Sequence, residues 1–117
     1  MEALAGAGVT VEAVEGRLSA KCRGWVCECD GEIVGFSMSN GESGEFWVVA
    51  VLPEYEGRGI GRKLVEVGQA WLHEQGWKEI WLWTSPDTST RAYKLYLKLG
   101  WRDCGVKKGQ LIMRHVG

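Results

Sequence analysis

Apolar positions recur along the chain with two periods, and the changes between them mark out its elements. Over residues 10–20, Val11, Val14 and Leu18 fall at helical spacing. Thr10 suits an N-cap there, with Glu12 and Glu15 in the following turns, so a short helix is predicted. Residues 24–30 and 32–40 are β-rich runs joined at Asp30–Gly31, a dipeptide that favours hairpin turns. Residues 44–52 form a third strand, apolar enough to be central, and Pro53 stops it. A helix over 62–75 carries Leu64, Val65, Gly68, Trp71 and Leu72 on one face, with Gly76 as its C′ residue. Residues 78–84 are apolar on both faces, as a covered parallel strand would be. A second helix over 90–99 has Ala92, Leu95, Tyr96 and Leu99 at helical spacing and ends at Gly100. Strands over 101–106 and 110–116 follow, joined at residues 107–109. The order α-β-β-β-α-β-α-β-β is mixed α/β, an antiparallel meander feeding a β-α-β crossover.

Composition narrows the class. A chain of 117 residues with 45% hydrophobic and 25% charged residues is expected to be one globular domain. The net charge of −1 argues against a nucleic-acid binder. No apolar run approaches the ~18 residues of a membrane span, and the N-terminus lacks a secretory pattern, so a cytoplasmic protein with no membrane partner is expected. Cys22, Cys27, Cys29 and Cys104 form no C-x-x-C pair, and His73 and His115 lie far from them. That spacing predicts buried free thiols and no metal. The 17 glycines sit mostly at segment ends as turn punctuation. The seven tryptophans supply core area. Trp47 and Trp83 could instead line an aromatic pocket, although nothing in the pattern singles out one indole.

Charge is unevenly placed: residues 1–57 hold ten acids and three bases, residues 58–117 five acids and eleven bases. Such a split suits a site where a polyanion meets the basic half and a cation the acidic half. The stretch VVAVLPEYEGRGIGRKL, residues 48–64, fits the first role. A strand ends, and Gly57, Gly59 and Gly61 lead straight into a helix. Glycines let a ligand approach the backbone, and the free amides of a helix's first turn attract anions. Arg58, Arg62 and Lys63 add formal charge, so the chemistry points to pyrophosphate. A Walker A loop would need Ser or Thr after Gly-Lys, and a dinucleotide fingerprint would need Gly or Ala at Arg62; neither is present.

E-G-R-G-I-G, preceded by V-A-V-L-P, resembles the acyl-CoA pyrophosphate motif R/Q-x-x-G-x-G/A of the GNAT N-acetyltransferase superfamily. Downstream, R-A-Y-K-L-Y-L-K-L-G-W is similar to the family's A-x-x-L-Y-x-K-x-G-F helix. The two blocks stand in family order, and the resemblance spans residues 24–116. It implies a splayed, V-shaped sheet of about six strands flanked by helices. It also implies acetyl transfer from acetyl-CoA to a small or protein amine, by direct attack in a ternary complex. The pantetheine arm would pair with the main chain at Val49, Ala50 and Val51. Glu56, Gly57, Arg58, Gly59, Ile60, Gly61, Arg62 and Lys63 would surround the pyrophosphate. Ser89 and Arg91, at the start of the second motif, would add cofactor contacts. Tyr96 matches the tyrosine that protonates the departing thiolate, and Glu45 is a candidate general base.

Three departures qualify the resemblance. Glu56 stands where the motif has Gln or Arg, and Arg58 and Arg62 are expected to offset it. Ser89 replaces a frequent Asn. Only residues 1–8 precede the segment at 10–20, so the family's first strand and most of its first helix are expected to be missing. That would leave an unpaired sheet edge and uncovered apolar surface, which a second copy is expected to cover in a homodimer. It also leaves an alternative function open, an acyl-CoA-binding module without turnover.

Overall fold

Asp30 and Gly31, both left-handed at φ 51° and 82°, form the tight turn that their sequence favours. They join β3 (Cys22–Cys29) to β4 (Glu32–Asn40), from which the rest of the sheet extends. The computed structural model describes residues 22–117, and before them the backbone of residues 2–3 and 9–14. The remaining strands are β1 (Glu2–Ala3), β2 (Val9–Val14), β5 (Glu45–Val51), β6 (Glu79–Thr84), β7 (Arg102–Lys107) and β8 (Gln110–Val116). Helices α1 (Ile60–Glu74) and α2 (Arg91–Lys98) complete the chain, with a short 3-10 turn at Pro53–Tyr55. The strand order is β1-β2-β3-β4-β5-β6-β8-β7, antiparallel except at β5–β6. From β3 onward this is the expected mixed α/β architecture, with six strands and two helices. Among the described residues no helix is long and apolar enough to cross a membrane.

The N-terminal expectation fails in one respect. Residues 9–14 form strand β2 instead of the start of a helix, while residues 15–20 lie outside those described. β2 pairs antiparallel with β3, Val11 opposite Cys27 and Ala13 opposite Trp25. The β-branched run Val9, Thr10, Val11 prefers this pleated pairing to a helix. A strand therefore does precede the meander, and β3 is paired on both sides.

Both helices pack on one face of the sheet. α1 buries Ile60, Leu64, Val65, Gly68 and Leu72. Its fit over β4 is close: Ser37 Oγ donates to the Leu64 carbonyl at 3.0 Å and Ser39 Oγ to that of Gly68 at 3.3 Å. A Cβ on Gly68 would stand 2.5 Å from the Phe46 ring, so no other residue fits that approach. Tyr96 of α2 joins Phe46, Val65, Leu72, Ile80, Leu82, Trp101, Leu111 and Met113 in the main core cluster. Cys27 and Cys29 are buried beneath α1, as their alternation implied, whereas Cys104 is exposed on β7; all four thiols are free.

One local feature shapes the middle of the sheet. β6 and β8 pair along the whole of β6, but β5 and β6 meet only at Glu45 and Trp81. Two indoles fasten this meeting point: Trp77 Nε1 donates to the Gly41 carbonyl at 2.7 Å and Trp81 Nε1 to that of Ser43 at 3.1 Å. Beyond it the parallel strands part, which is the splay the resemblance implied.

Candidate active site

The parted strand β5 opens onto a groove of about 470 Å³ on the helix-covered side. One wall is Val49, Ala50 and Val51; the end is Glu56, Gly57, Gly59, Gly61 and Arg62. The other wall belongs to α2. Gly57 and Gly59 are left-handed, at φ 79° and 83°, and a Cβ on Gly59 would meet nothing within 4 Å. Glycine there serves the backbone turn and leaves the space clear. Gly59 is also the N-cap of α1, and no side chain caps that end. The first-turn amides are therefore left to an anion, with the helix dipole behind them.

Basic side chains surround this end without crowding it. The Arg62 guanidinium lies 3.8 Å from Glu66 one turn along α1, and Arg58 stacks over the Tyr55 ring at 4.9 Å. Glu56 is balanced from across the groove by Arg91 at 3.7 Å, rather than by Arg58 and Arg62 as expected. That contact ties the glycine turn to the start of α2. The structure thus brings Val49, Ala50, Val51, Glu56, Gly57, Gly59, Gly61, Arg62 and Arg91 to one groove. Arg58, Lys63 and Ile60 flank it on the same turn without lining it, and the Ile60 side chain is buried in the core. Ser89 is not brought there: its backbone N–H and hydroxyl both donate to Asp87 Oδ1, at 2.9 and 2.6 Å, in an exposed turn.

Sequence reasoning missed four lining residues on α2: Ala92, Lys94, Leu95 and Lys98. A signal existed, since Arg91, Lys94 and Lys98 recur at i, i+3 and i+7 and so form a basic stripe along one side of the helix. Ala92 and Leu95 had been assigned to the core stripe; they form its margin, where the groove begins.

Tyr96 is 6% exposed, with its ring 6.0 Å from that of Trp101. Burial pushes its phenol up to about 12, which keeps the proton on the oxygen at neutral pH. Glu45 lies elsewhere, at the first position of β5 where the strands part. Partial burial raises its carboxyl above the ordinary 4.5, against a smaller lowering by the hydrogen bond from Trp47 Nε1 at 3.1 Å. Tyr96 is thus a core residue of α2 outside the groove lining, while Glu45 stands at the apex of the splay.

Residues 10–101 match the model of the Acetyltransferase (GNAT) family. Among curated proteins, a mycothiol acetyltransferase from Catenulispora acidiphila is 43% identical over 61 residues, covering 52% of this chain and 19% of that protein. The chain spans about a sixth to under half of the length of the curated relatives it matches. Among solved structures, a GNAT family acetyltransferase from Elizabethkingia anophelis with acetyl-CoA bound superposes with a TM-score of 0.73 at 13% identity, covering 96% of this chain and all of that one. An N-acetyltransferase of Thermoplasma acidophilum in complex with coenzyme A gives 0.71 at 18% identity, covering 83% of this chain and 62% of that one.

Proposed function

Since the chain belongs to the GNAT acetyltransferase family, we propose that it transfers an acetyl group from acetyl-CoA to an amine by direct attack within a ternary complex. The observation that carries this reading is the groove itself. A glycine turn, an uncapped helix start and a basic α2 stripe meet at one end of the exposed main chain of residues 49–51. An anionic pyrophosphate fits that end, and a thin arm with amide groups fits the parted edge of β5.

In this reading the amides of the first turn of α1 and the side chains of Arg62, Lys94 and Lys98 hold the phosphates. The backbone at Val49–Val51 aligns the pantetheine arm and directs the thioester towards the apex of the splay, which supplies most of the rate by orientation. Glu45 receives the proton of the attacking amine. Tyr96, whose phenol is protonated at neutral pH, gives its proton to the departing thiolate. The binding-module alternative rests on missing N-terminal elements, and the strand β2 paired with β3 supports the transferase reading against it.

Thiol release tests the proposal. Mixing the protein with acetyl-CoA and an amine panel should liberate coenzyme A thiol at a rate that depends on the amine. Tyr96→Phe should lower kcat by about 10²-fold or more while leaving acetyl-CoA affinity unchanged. Binding of acetyl-CoA without amine-dependent thiol release would contradict the transferase reading.

A further inference from the structure

We infer that Glu56 is a built-in competitor of the cofactor's pyrophosphate: it holds Arg91 across the groove, and a polyanion binds there by taking Arg91 from it. This rests on the acetyl-CoA reading above and names what sets cofactor affinity and exchange. The two residues come from opposite walls. Glu56 closes the 3-10 turn after β5, its N–H donating to the Pro53 carbonyl at 3.3 Å, and the left-handed Gly57 follows it. Arg91 is the first residue of α2, whose start is fixed by the Thr90 hydroxyl accepting from the Tyr93 N–H at 3.2 Å. Both backbones are thus anchored, and the side chains are what can move. Arg91 Nε lies 3.7 Å from Glu56 Oε2, and its Nη1 lies 3.6 Å from the point where a Cβ on Gly57 would stand. The guanidinium therefore reaches over the glycine turn at the anion end, and both residues line the groove.

The pair is built to be exchanged. Its contact is longer than a hydrogen bond, and the Arg91 and Glu56 side chains are 72% and 42% exposed, so little is lost when it opens. A phosphate can accept two parallel N–H bonds from a guanidinium and is the stronger partner. When Arg91 turns to the phosphate, the Glu56 carboxylate stays beside the glycine turn, because its backbone is held there, and like charges repel. Arg62, the other arginine of the groove, differs in this respect: its partner Glu66 stands one turn along α1, outside the groove lining. Glu56 therefore opposes binding twice, by holding Arg91 beforehand and by facing the phosphates afterwards. The first effect needs Arg91, and the second does not. An Arg or Gln at position 56, as in the family motif, would exert neither. The consequence for turnover is faster departure of coenzyme A after each transfer.

The test is a double-mutant cycle in which native protein, Glu56→Gln, Arg91→Gln and the double variant are each titrated with acetyl-CoA by calorimetry. Glu56→Gln should tighten binding by about fivefold in the native background and by only about twofold when Arg91→Gln is also present. Arg91→Gln should correspondingly cost more affinity in the Glu56→Gln background than in the native one. Dissociation of coenzyme A, followed by displacement with excess acetyl-CoA, should slow in Glu56→Gln by a factor similar to its gain in affinity. In turnover, Glu56→Gln should lower KM for acetyl-CoA and leave KM for the amine unchanged. Weaker binding by Glu56→Gln would mean that Glu56 positions Arg91 for the phosphates instead of competing for it. Equal tightening in both backgrounds would reduce the effect to the loss of one negative charge. Either result overturns the inference and leaves the cofactor reading standing. If none of the four proteins binds acetyl-CoA, the cofactor reading falls and takes the inference with it.

Discussion

Gly57 and Gly59 occupy a left-handed region that costs an L side chain about 1–2 kcal/mol, so at both positions the fold itself favours glycine. Gly61 is different. It lies in the first turn of α1 without a positive φ, and a Cβ there would stand 3.7 Å from Val51 and 3.8 Å from Leu95, in ordinary contact. The fold would accept alanine, which removes up to about 1 kcal/mol of helix-propensity cost. What alanine would occupy is the narrow space between β5 and α2 that the groove follows. Gly61→Ala is therefore expected to keep or raise the melting temperature while weakening acetyl-CoA binding by about tenfold or more. Parallel thermal melts and calorimetry check this. Unchanged affinity would show that nothing threads the groove at that point.

At the scale of elements, α1, β8 and the segment after α2 are joined by one line of hydrogen bonds. Trp101 Nε1 donates to Gln69 Oε1 at 2.9 Å, and Gln69 Nε2 lies 3.4 Å from His115 Nε2. His115 Nδ1 is 3.0 Å from His73 Nε2, and His73 Nδ1 is 2.6 Å from the Trp77 carbonyl. The indole can only donate and the carbonyl only accept, so the line is satisfied with both imidazoles neutral. Burial, then the neighbouring His73, holds His115 below the ordinary 6.5, against a smaller raising by the Leu99 carbonyl. Below pH 6.5 the unfolded chain therefore binds more protons than the folded one, and stability falls as the pH falls. Melting temperature should be flat at neutral pH and decline below about 6.5, with His115→Gln reducing that slope. An equal slope in the variant would assign the acid sensitivity to other groups.

The elements from β3 onward were legible because each carries a clean period and its own stop signals, such as Pro53, Gly76 and Gly100. The first segment was misread because three apolar residues at helical spacing, Val11, Val14 and Leu18, also allow a strand through Val14. The deciding partner, β3, begins only at Cys22.

Over the whole molecule, the phosphate end of the groove was readable because its chemistry is local: glycines, a helix start and arginines lie within a few residues of one another. The apex of the splay was not. It depends on the single Glu45–Trp81 pairing and on Trp77 and Trp81 reaching back to carbonyls 36 and 38 positions earlier, contacts that no local pattern encodes. The balance of Glu56 by Arg91, from a helix beyond β6, is hidden for the same reason. The central claim is that the groove takes acetyl-CoA, and isothermal calorimetry with adenosine as the control tests it most directly. The account predicts one-to-one binding of acetyl-CoA in the micromolar range and none of adenosine. No heat at two temperatures, or equal binding of adenosine, would contradict it.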